Sequence, residues 1–339
     1  MMKKTTISDI ASTLGVSEAT ISLALNNRSG VNKETRKKVL QTAKELGYKP
    51  NYFARGLAMR KSNIIGFIIP DIENPFYSKA TKILDQVVQD YGYNLLLGFS
   101  SFDLYKEKDT IERFCGLGVD GIVIAPTYLF TTDSSYRKTV LESNVPIIYM
   151  GAHYDFETHY VMTDLSRGTE LLVNHLLLKG IRDIVFLTGS EDIVLVSERE
   201  AGFRKAYASQ GLNIVPDQYI CCNEFSFIEG YRKTLDFLTH RRRPEAIISV
   251  NDVMALGVMR ASRELGYSIP EHIVVAGYDN VSYSEFSEVS LTTVQQPLEC
   301  MAKQTILHLM SLILNNISDE WIHEKLEPML VIRESTEKF

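Results

Sequence analysis

Cysteine is scarce in this chain of 339 residues: only Cys115, Cys221, Cys222 and Cys300 occur, and none of them stands in C-x-x-C spacing. That excludes a disulfide-stapled scaffold and a zinc ribbon, and it suits a reducing compartment. No run of eighteen apolar residues exists, so no membrane-spanning helix is expected. The opening "MMKK" has the charge of an export signal, but Thr5, Thr6, Ser8 and Asp9 interrupt the apolar core that should follow. A cytoplasmic location is therefore expected. Catalytic signatures are lacking too. Neither G-x-S-x-G nor G-x-x-x-x-G-K-[ST] occurs, and the seven histidines form no H-x-x-x-H pair. The run Gly116–Gly121, "GLGVDG", satisfies G-x-G-x-x-G, yet it follows a helical pattern and leads into a strand, the reverse of a dinucleotide-binding turn. The expectation is a protein that is not an enzyme, with no catalytic residue, no metal and no cofactor.

What is present is a charge asymmetry. The net charge is -6, but residues 1–61 hold 12 Lys or Arg against 4 acids, while the remainder holds 24 against 38. A basic head on an acidic body is drawn to phosphate at one end and repelled elsewhere, which assigns any polyanionic partner to the first sixty residues.

From Ile7 to Leu46 the apolar residues keep helical spacing in three short bursts. Thr6 with Asp9 three positions on has the spacing of a capping box, Gly15 closes the first burst, Ser17 opens the second, and Asn32 opens a third that stops at Gly47. A helix-turn-helix needs a small residue where the helices cross, a residue tolerant of positive φ in the turn and an apolar anchor beyond it. Ala11, Gly15 and Ile21 fill those places. With Ile21, Ala24 and Leu25 turned inward, Ser17, Glu18, Ala19, Ser22, Leu23 and Asn26 form the face that could enter a major groove. An ordinary small helical bundle remains the alternative. Next comes "NYFARGLAMRKS", residues 51–62, too short for a stable isolated helix, with Leu57 between Arg55 and Arg60. An apolar side chain between cations has the chemistry of a minor-groove wedge; a plain linker is the other reading.

After Ser62, short runs such as "IIGFII", "NLLLGF", "GIVIA" and "PIIYM" alternate with helical segments near 75–91, 104–117 and 132–143, and the rhythm resumes as "DIVFLTG", "EAIISV" and "IVVAGYD". Repeated strand–helix–strand order predicts parallel sheets covered on both faces, arranged as two α/β lobes. The carboxyl ends of such strands face the gap between lobes, where Asp71, Asn74, Phe76 and Tyr77 of "PDIENPFY" fall on a loop and helix start. Across the gap stand Arg199, Phe225, Asn251 and Asp279. Taken singly, Asn251 and Asp252 read equally as helix caps, and Phe76 or Phe225 as core.

The blocks "TISDIASTLGVSEATISLALNN", "TRKKVLQTAKELGYKPNYFARGL", "IGFIIPDIENPFY", "VDGIVIAP", "NDVMALG", "GYDN", "LTTVQQP" and "IRES", in this order, resemble the LacI/GalR family of bacterial transcription regulators over nearly the whole length. The resemblance implies a helix-turn-helix headpiece at 1–50, a hinge helix at 51–62, an N-terminal effector subdomain at 63–160 and 292–324, and a C-terminal one at 161–291 and 325–339. It implies a homodimer on a near-palindromic operator, with the two hinge helices paired in the minor groove. The absence of a leucine heptad after "IRES" favours a dimer over a tetramer.

Affinity would then come from phosphate contacts by Thr5, Thr6, Ser17, Asn26, Asn32 and Thr35, and selectivity from the recognition face, so that this helix need not be basic. The family's base-reading positions fall on Glu18, Ala19 and Leu23, and Thr20, Ser22, Tyr52, Arg55 and Leu57 complete the expected DNA-binding set. Leu23 departs from the polar residue common in relatives. In the cleft, the residues matching Arg199, Asn251 and Asp279 bind the effector, and an aromatic matching Phe225 stacks on it. Gly151 stands where many sugar-sensing relatives have Asp, and Ile193 and Leu195 replace hydroxyl or charged groups. The implied ligand, a sugar or related metabolite, is smaller than a plain hexose, partly apolar or bound with fewer hydrogen bonds. A second class of function fits part of the same sequence: a small-molecule clamp whose first sixty residues are only an interaction bundle, and which docks a protein such as a phosphocarrier in place of a sugar.

Overall fold

The computed structural model describes residues 5–26, 28–48, 61–126, 133–314 and 320–337. The chain divides into two units, Met1–Ser62 and Asn63–Phe339.

Among the described residues of the first unit three helices form: α1 (Ile7–Leu14), α2 (Glu18–Leu25) and α3 (Lys33–Glu45). The predicted capping box is present, with the Thr6 amide donating to Asp9 Oδ2 at 2.8 Å and the Asp9 amide donating to Thr6 Oγ1 at 3.3 Å. Gly15 takes φ 64° at the turn, which an L side chain adopts at a steric penalty. Ser17 and Asn32 cap α2 and α3 through bonds from the Thr20 and Thr35 amides. Ile10, Ala11, Ile21, Ala24, Val39 and Ala43 make the core, so the spacing of apolar residues does place one face of each helix inward. Leu40 and Leu46, apolar and in register, are exposed instead.

The second unit holds two six-stranded sheets. The first is built from β1 (Ile64–Ile69), β2 (Asn94–Phe99), β3 (Gly121–Ile124), β4 (Ile147–Met150), β5 (His159–Thr163) and, late in the chain, β11 (His323–Leu326), ordered β11-β5-β4-β3-β1-β2 and wholly parallel. The second contains β6 (Ile184–Thr188), β7 (Tyr219–Cys221), β8 (Ala246–Ser249), β9 (Val274–Tyr278), β10 (Thr292–Gln295) and β12 (Met329–Val331), ordered β12-β10-β9-β8-β6-β7, antiparallel only between β10 and β12. The continuous apolar runs exist because helices cover both faces: β1, β3, β4, β6, β8 and β9 are buried almost throughout. On the first sheet these helices are α4 (Pro75–Asp90), α5 (Leu104–Leu117), α6 (Ser134–Leu141) and the late α12 (Leu298–Ile313). On the second they are α7 (Leu165–Leu178), α8 (Val194–Ser209), α9 (Phe227–His240) and α10 (Asp252–Glu264), with the short α11 (Ser282–Phe286) beside them.

The lobe boundaries differ from expectation by a few residues. β5 pairs with β4 and keeps residues to Thr163 in the first lobe. β10 joins β9 from Thr292 onward, so 292–295 belong to the second lobe and the chain returns at Gln296 and Pro297. The last crossing follows β11 at 327–328, where 325 was expected. In each case the shift arises because a strand pairs with its own sheet before the chain crosses.

Helices α9 and α10 touch backbone to backbone. A Cβ at Gly257 would fall 2.4 Å from the Phe227 carbonyl oxygen and 2.6 Å from the Tyr231 nitrogen, and one at Gly230 would fall 2.6 Å from the Met254 oxygen. Neither backbone can yield without moving a whole helix. Gly257→Ala should therefore destabilise this unit by about 1–3 kcal/mol by overpacking, read in thermal unfolding; a change within roughly 0.5 kcal/mol would show that the helices slide freely.

Candidate functional site

Two surfaces collect the expected residues, one in each unit. In the headpiece, Ser17, Glu18 and Ala19 are exposed at the start of α2, while Thr20, Ser22, Leu23 and Asn26 are half-buried along it. Their polar groups are already ordered. Ser17 Oγ lies 2.9 Å from Thr20 Oγ1, and Asn26 Nδ2 donates to the Ser22 carbonyl at 2.9 Å. Thr5 Oγ1 donates to the Leu46 carbonyl at 2.8 Å and ties the start of the unit to the end of α3. Thr6, Ser17 and Asn32 all cap helices, so three of the expected phosphate contacts stand where helix amides and dipoles favour an anion. Leu23 lies beside Gly30, with its Cδ1 3.7 Å from where a Cβ there would be. Tyr52, Arg55 and Leu57 lie outside the described residues.

In the second unit, the loops at the carboxyl ends of the strands from both sheets meet around one cavity of about 50 Å³. The first lobe contributes Asn74, Phe76 and Tyr77 after β1, Phe102 after β2, Ala125 and Pro126 after β3, and Met150, Gly151 and Ala152 after β4. The second lobe contributes Leu165, Leu195, Arg199, Phe225, Asn251, Asp279 and Gln296. Each strand order reverses at β1 and β6, which is where parallel α/β sheets open a crevice. Seven of the eight expected cleft residues therefore line one cavity. Asp71 does not: it lines an adjoining outer groove, and its Oδ1 accepts the Glu73 amide at 2.8 Å. It was expected in the pocket from its place after β1, but the turn it closes carries it outward. Gly151 and Leu195 line the cavity, while Ile193 faces the outer groove.

The polar centre is an ion pair between Arg199 Nη2 and Asp279 Oδ1 at 3.0 Å, with side chains 4% and 6% exposed. The guanidinium also donates through Nη1 to the Val250 carbonyl and lies 3.8 Å from the ring centroid of Tyr278. Gln296 Nε2 donates to the same Asp279 oxygen at 2.9 Å. Burial pushes the Asp279 carboxyl above its ordinary range, and the Arg199 charge pulls it part of the way back. Burial, reinforced by the Asp279 charge, raises the Tyr77 phenol far out of the titrating range, so it faces the cavity as a neutral hydroxyl. Asp279 itself sits at φ 111°, followed by Asn280 at 50°. This bend is held from behind, because Arg333 Nη2 donates to Asn280 Oδ1 at 2.8 Å and Asn280 Nδ2 donates to Gln295 Oε1 at 2.7 Å.

Asn251 combines both of its readings. It caps α10 by accepting the Met254 amide at 2.8 Å, and it lines the cavity. Its neighbour Asp252 points away into the lobe, where Thr293, Ser284 and the Val281 amide donate to it. Of the buried side-chain atoms that have no hydrogen-bond partner among the described residues, two belong to residues lining this cavity: Arg199 Nε and Gln296 Oε1. A buried donor and a buried acceptor left unmade beside one cavity call for a group that can both accept and donate, and a hydroxyl does so.

Sequence reasoning missed Gln296 and Phe102. Gln296 is the sixth residue of "LTTVQQP", one past the end of β10, and position after a strand is the signal that could have found it. Phe102 has no such signal, because its aim depends on a backbone turn that composition does not reveal.

A family model described as "Bacterial regulatory proteins, lacI family" matches residues 6–51, and one described as "Periplasmic binding protein-like domain" matches residues 173–336. The ribose operon repressor of Halalkalibacterium halodurans is 30% identical over 333 residues, covering 98% of this chain and 97% of that protein. Catabolite control protein A of Priestia megaterium is 31% identical over 295 residues, covering 86% and 88%. Among solved structures, the lac repressor dimer bound to operator and the anti-inducer ONPF superposes with a TM-score of 0.88 at 26% identity, covering 98% of this chain and 99% of that one. Headpiece, paired parallel sheets and the relatives that share both along their full length give one conclusion: the chain belongs to the lacI family of bacterial regulatory proteins and is a transcriptional regulator, not an enzyme.

Proposed function

We propose that the protein is a homodimeric repressor whose grip on a near-palindromic operator is controlled by a carbohydrate or closely related polyhydroxy effector held between the two lobes. The observation that carries this reading is the buried trio Arg199, Asp279 and Gln296, whose unused Nε and Oε1 suit a hydroxyl-bearing ligand. The aromatic and aliphatic walls, Phe76, Phe225, Met150 and Leu195, suit the apolar face of a sugar ring. The cavity is lined from both lobes, so a ligand held there bridges them, and relative movement of the lobes is the lever on the headpiece.

On the DNA side, Glu18, Ala19 and Leu23 read bases, with Leu23 packing on a thymine methyl, while Thr5, Thr6, Ser17, Thr20, Ser22, Asn26, Asn32 and Thr35 position the headpiece on phosphates. Tyr52, Arg55 and Leu57 form the minor-groove element.

Selection of bound fragments from genomic DNA, with and without candidate sugars, tests the whole reading. Full-length protein should enrich one palindromic motif with an affinity that falls steeply with salt, and removal of residues 1–62 should abolish DNA binding while leaving sugar binding intact. Equal, weak attraction to every duplex would overturn it. Retention of a protein partner by the truncated chain would favour a clamp acting through protein contacts.

A further inference from the structure

The cleft contains two chambers. Beside the inner cavity runs an outer groove of about 610 Å³, and Asn74, Phe102 and Phe225 line both. The divider is aromatic: the rings of Phe102 and Phe225, one from each lobe, stand 6.4 Å apart at 47°. Phe102 reaches that place through an unusual backbone. Ser101 and Phe102 take φ of 50° and 58°, two successive side-chain-bearing residues in the left-handed region, each at a penalty of about 1 kcal/mol or more. The surrounding chain holds the turn, with the Ser100 and Ser101 amides donating to the carbonyls of Ile69 and Pro70 and Asp103 capping α5.

The charge of the groove is one-sided. Asp71, Glu73 and Glu224 line it together with Asn223, and no Lys or Arg does so among the described residues. Acids alone would only describe a solvated rim. Here they line a groove that shares Asn74, Phe102 and Phe225 with a cavity where two polar atoms, on Arg199 and Gln296, are buried and unpartnered. A ligand anchored there by one ring extends past Phe102 into the groove.

We propose that the outer groove is a second effector subsite, which stacks an uncharged second pyranose ring on Phe102 and turns away phosphorylated sugars through Asp71, Glu73 and Glu224. The inference rests on the carbohydrate reading above and adds to it the size and the charge of the ligand. C–H faces of a pyranose pack on an aromatic ring, and its hydroxyls donate to the carboxylates and Asn223. A phosphate brought within several ångströms of three carboxylates is repelled, more so at low salt.

Titration calorimetry on the full-length protein with maltose, cellobiose, lactose, sucrose and trehalose, their constituent monosaccharides, and the corresponding disaccharide 6-phosphates tests this. At least one neutral disaccharide should bind about tenfold more tightly than its monosaccharides, and about tenfold more tightly than its own 6-phosphate. Phe102→Ala should weaken that disaccharide by about tenfold and the monosaccharides by less. The exposed Glu73→Gln/Glu224→Gln pair, which leaves the fold untouched, should close most of the gap between neutral and phosphorylated forms. Monosaccharides binding as tightly as any disaccharide, or a 6-phosphate binding tightest, would overturn the second subsite and leave the carbohydrate reading standing. If no sugar of any kind bound, both would fall.

Discussion

Arg199→Ala should lower the stability of the sensor unit by about 3–5 kcal/mol and remove effector binding altogether. The guanidinium is buried among three partners: the Asp279 carboxylate at 3.0 Å, the Val250 carbonyl and the face of Tyr278. Truncation leaves the buried Asp279 charge with Gln296 as its hydrogen-bond donor and strips the Val250 oxygen of the guanidinium. The larger part of the loss is therefore the penalty of an unmatched charge in a dry site rather than the worth of the pair itself. Arg199→Ala/Asp279→Asn, which removes that charge, should recover a good part of the stability and none of the binding. Thermal unfolding checks the first statement and calorimetry the second. For a unit of this size the single variant should melt roughly 6–20 °C lower. A single variant within about 1 kcal/mol of the parent would mean that solvent reaches Asp279 freely, and the site would then be a surface cleft rather than a buried one.

The parts that sequence made legible are those in which a local pattern has one physical solution. Thr6 with Asp9, Gly15, Ser17 and Asn32 mark helix ends by hydrogen-bonding rules that act within four residues, and the structure has caps at each. Runs such as "IIGFII" announce strands covered on both faces. What escaped depends on contacts distant in sequence. Leu40 keeps helical register yet is exposed, because none of the described core residues of the headpiece reaches that side of α3. Lobe boundaries moved because β10 chooses its partner β9 over the crossing that follows it. Phe102 enters the cleft through a left-handed turn fixed by hydrogen bonds from the end of β1, thirty residues earlier. Asp71 is carried from the inner cavity to the outer groove by a turn closed on Glu73. The family motifs pointed to the cavity between the lobes, but the choice among its lining side chains was made by backbone geometry.

The same distinction governs Asp252, which sits in the "NDVMALG" block but does not line the cavity. It is fully buried, with Oδ1 accepting from Thr293 Oγ1 at 2.5 Å and Oδ2 accepting from Ser284 Oγ at 2.7 Å and the Val281 amide at 2.9 Å. Burial, and then the nearby Asp279 charge, push its carboxyl up to about 7 from an ordinary 3.8, while the three hydrogen bonds pull the other way. A carboxyl that holds its proton more tightly folded than unfolded stabilises the fold fully below about pH 4, loses that contribution as pH rises towards 7, and contributes no more of it above. This is the reverse of the usual acid denaturation of paired carboxylates. Asp252→Asn is neutral at every pH, and its amide keeps the geometry: the oxygen accepts from Val281, and the nitrogen donates to a hydroxyl that turns to receive it. Relative to the parent, the variant should therefore gain stability between pH 5 and pH 8, by an amount on the order of 2–4 kcal/mol, read as the difference between their melting curves at the two pH values. The two proteins share every other titratable group, so the difference isolates Asp252 together with its coupling to Asp279. Effector affinity of the parent should weaken over the same interval, because an ionised Asp252 repels Asp279 where it faces the ligand, and the variant should lose that pH dependence. Parallel pH profiles for the two proteins would show instead that Asp252 is ionised throughout, its three donors outweighing burial.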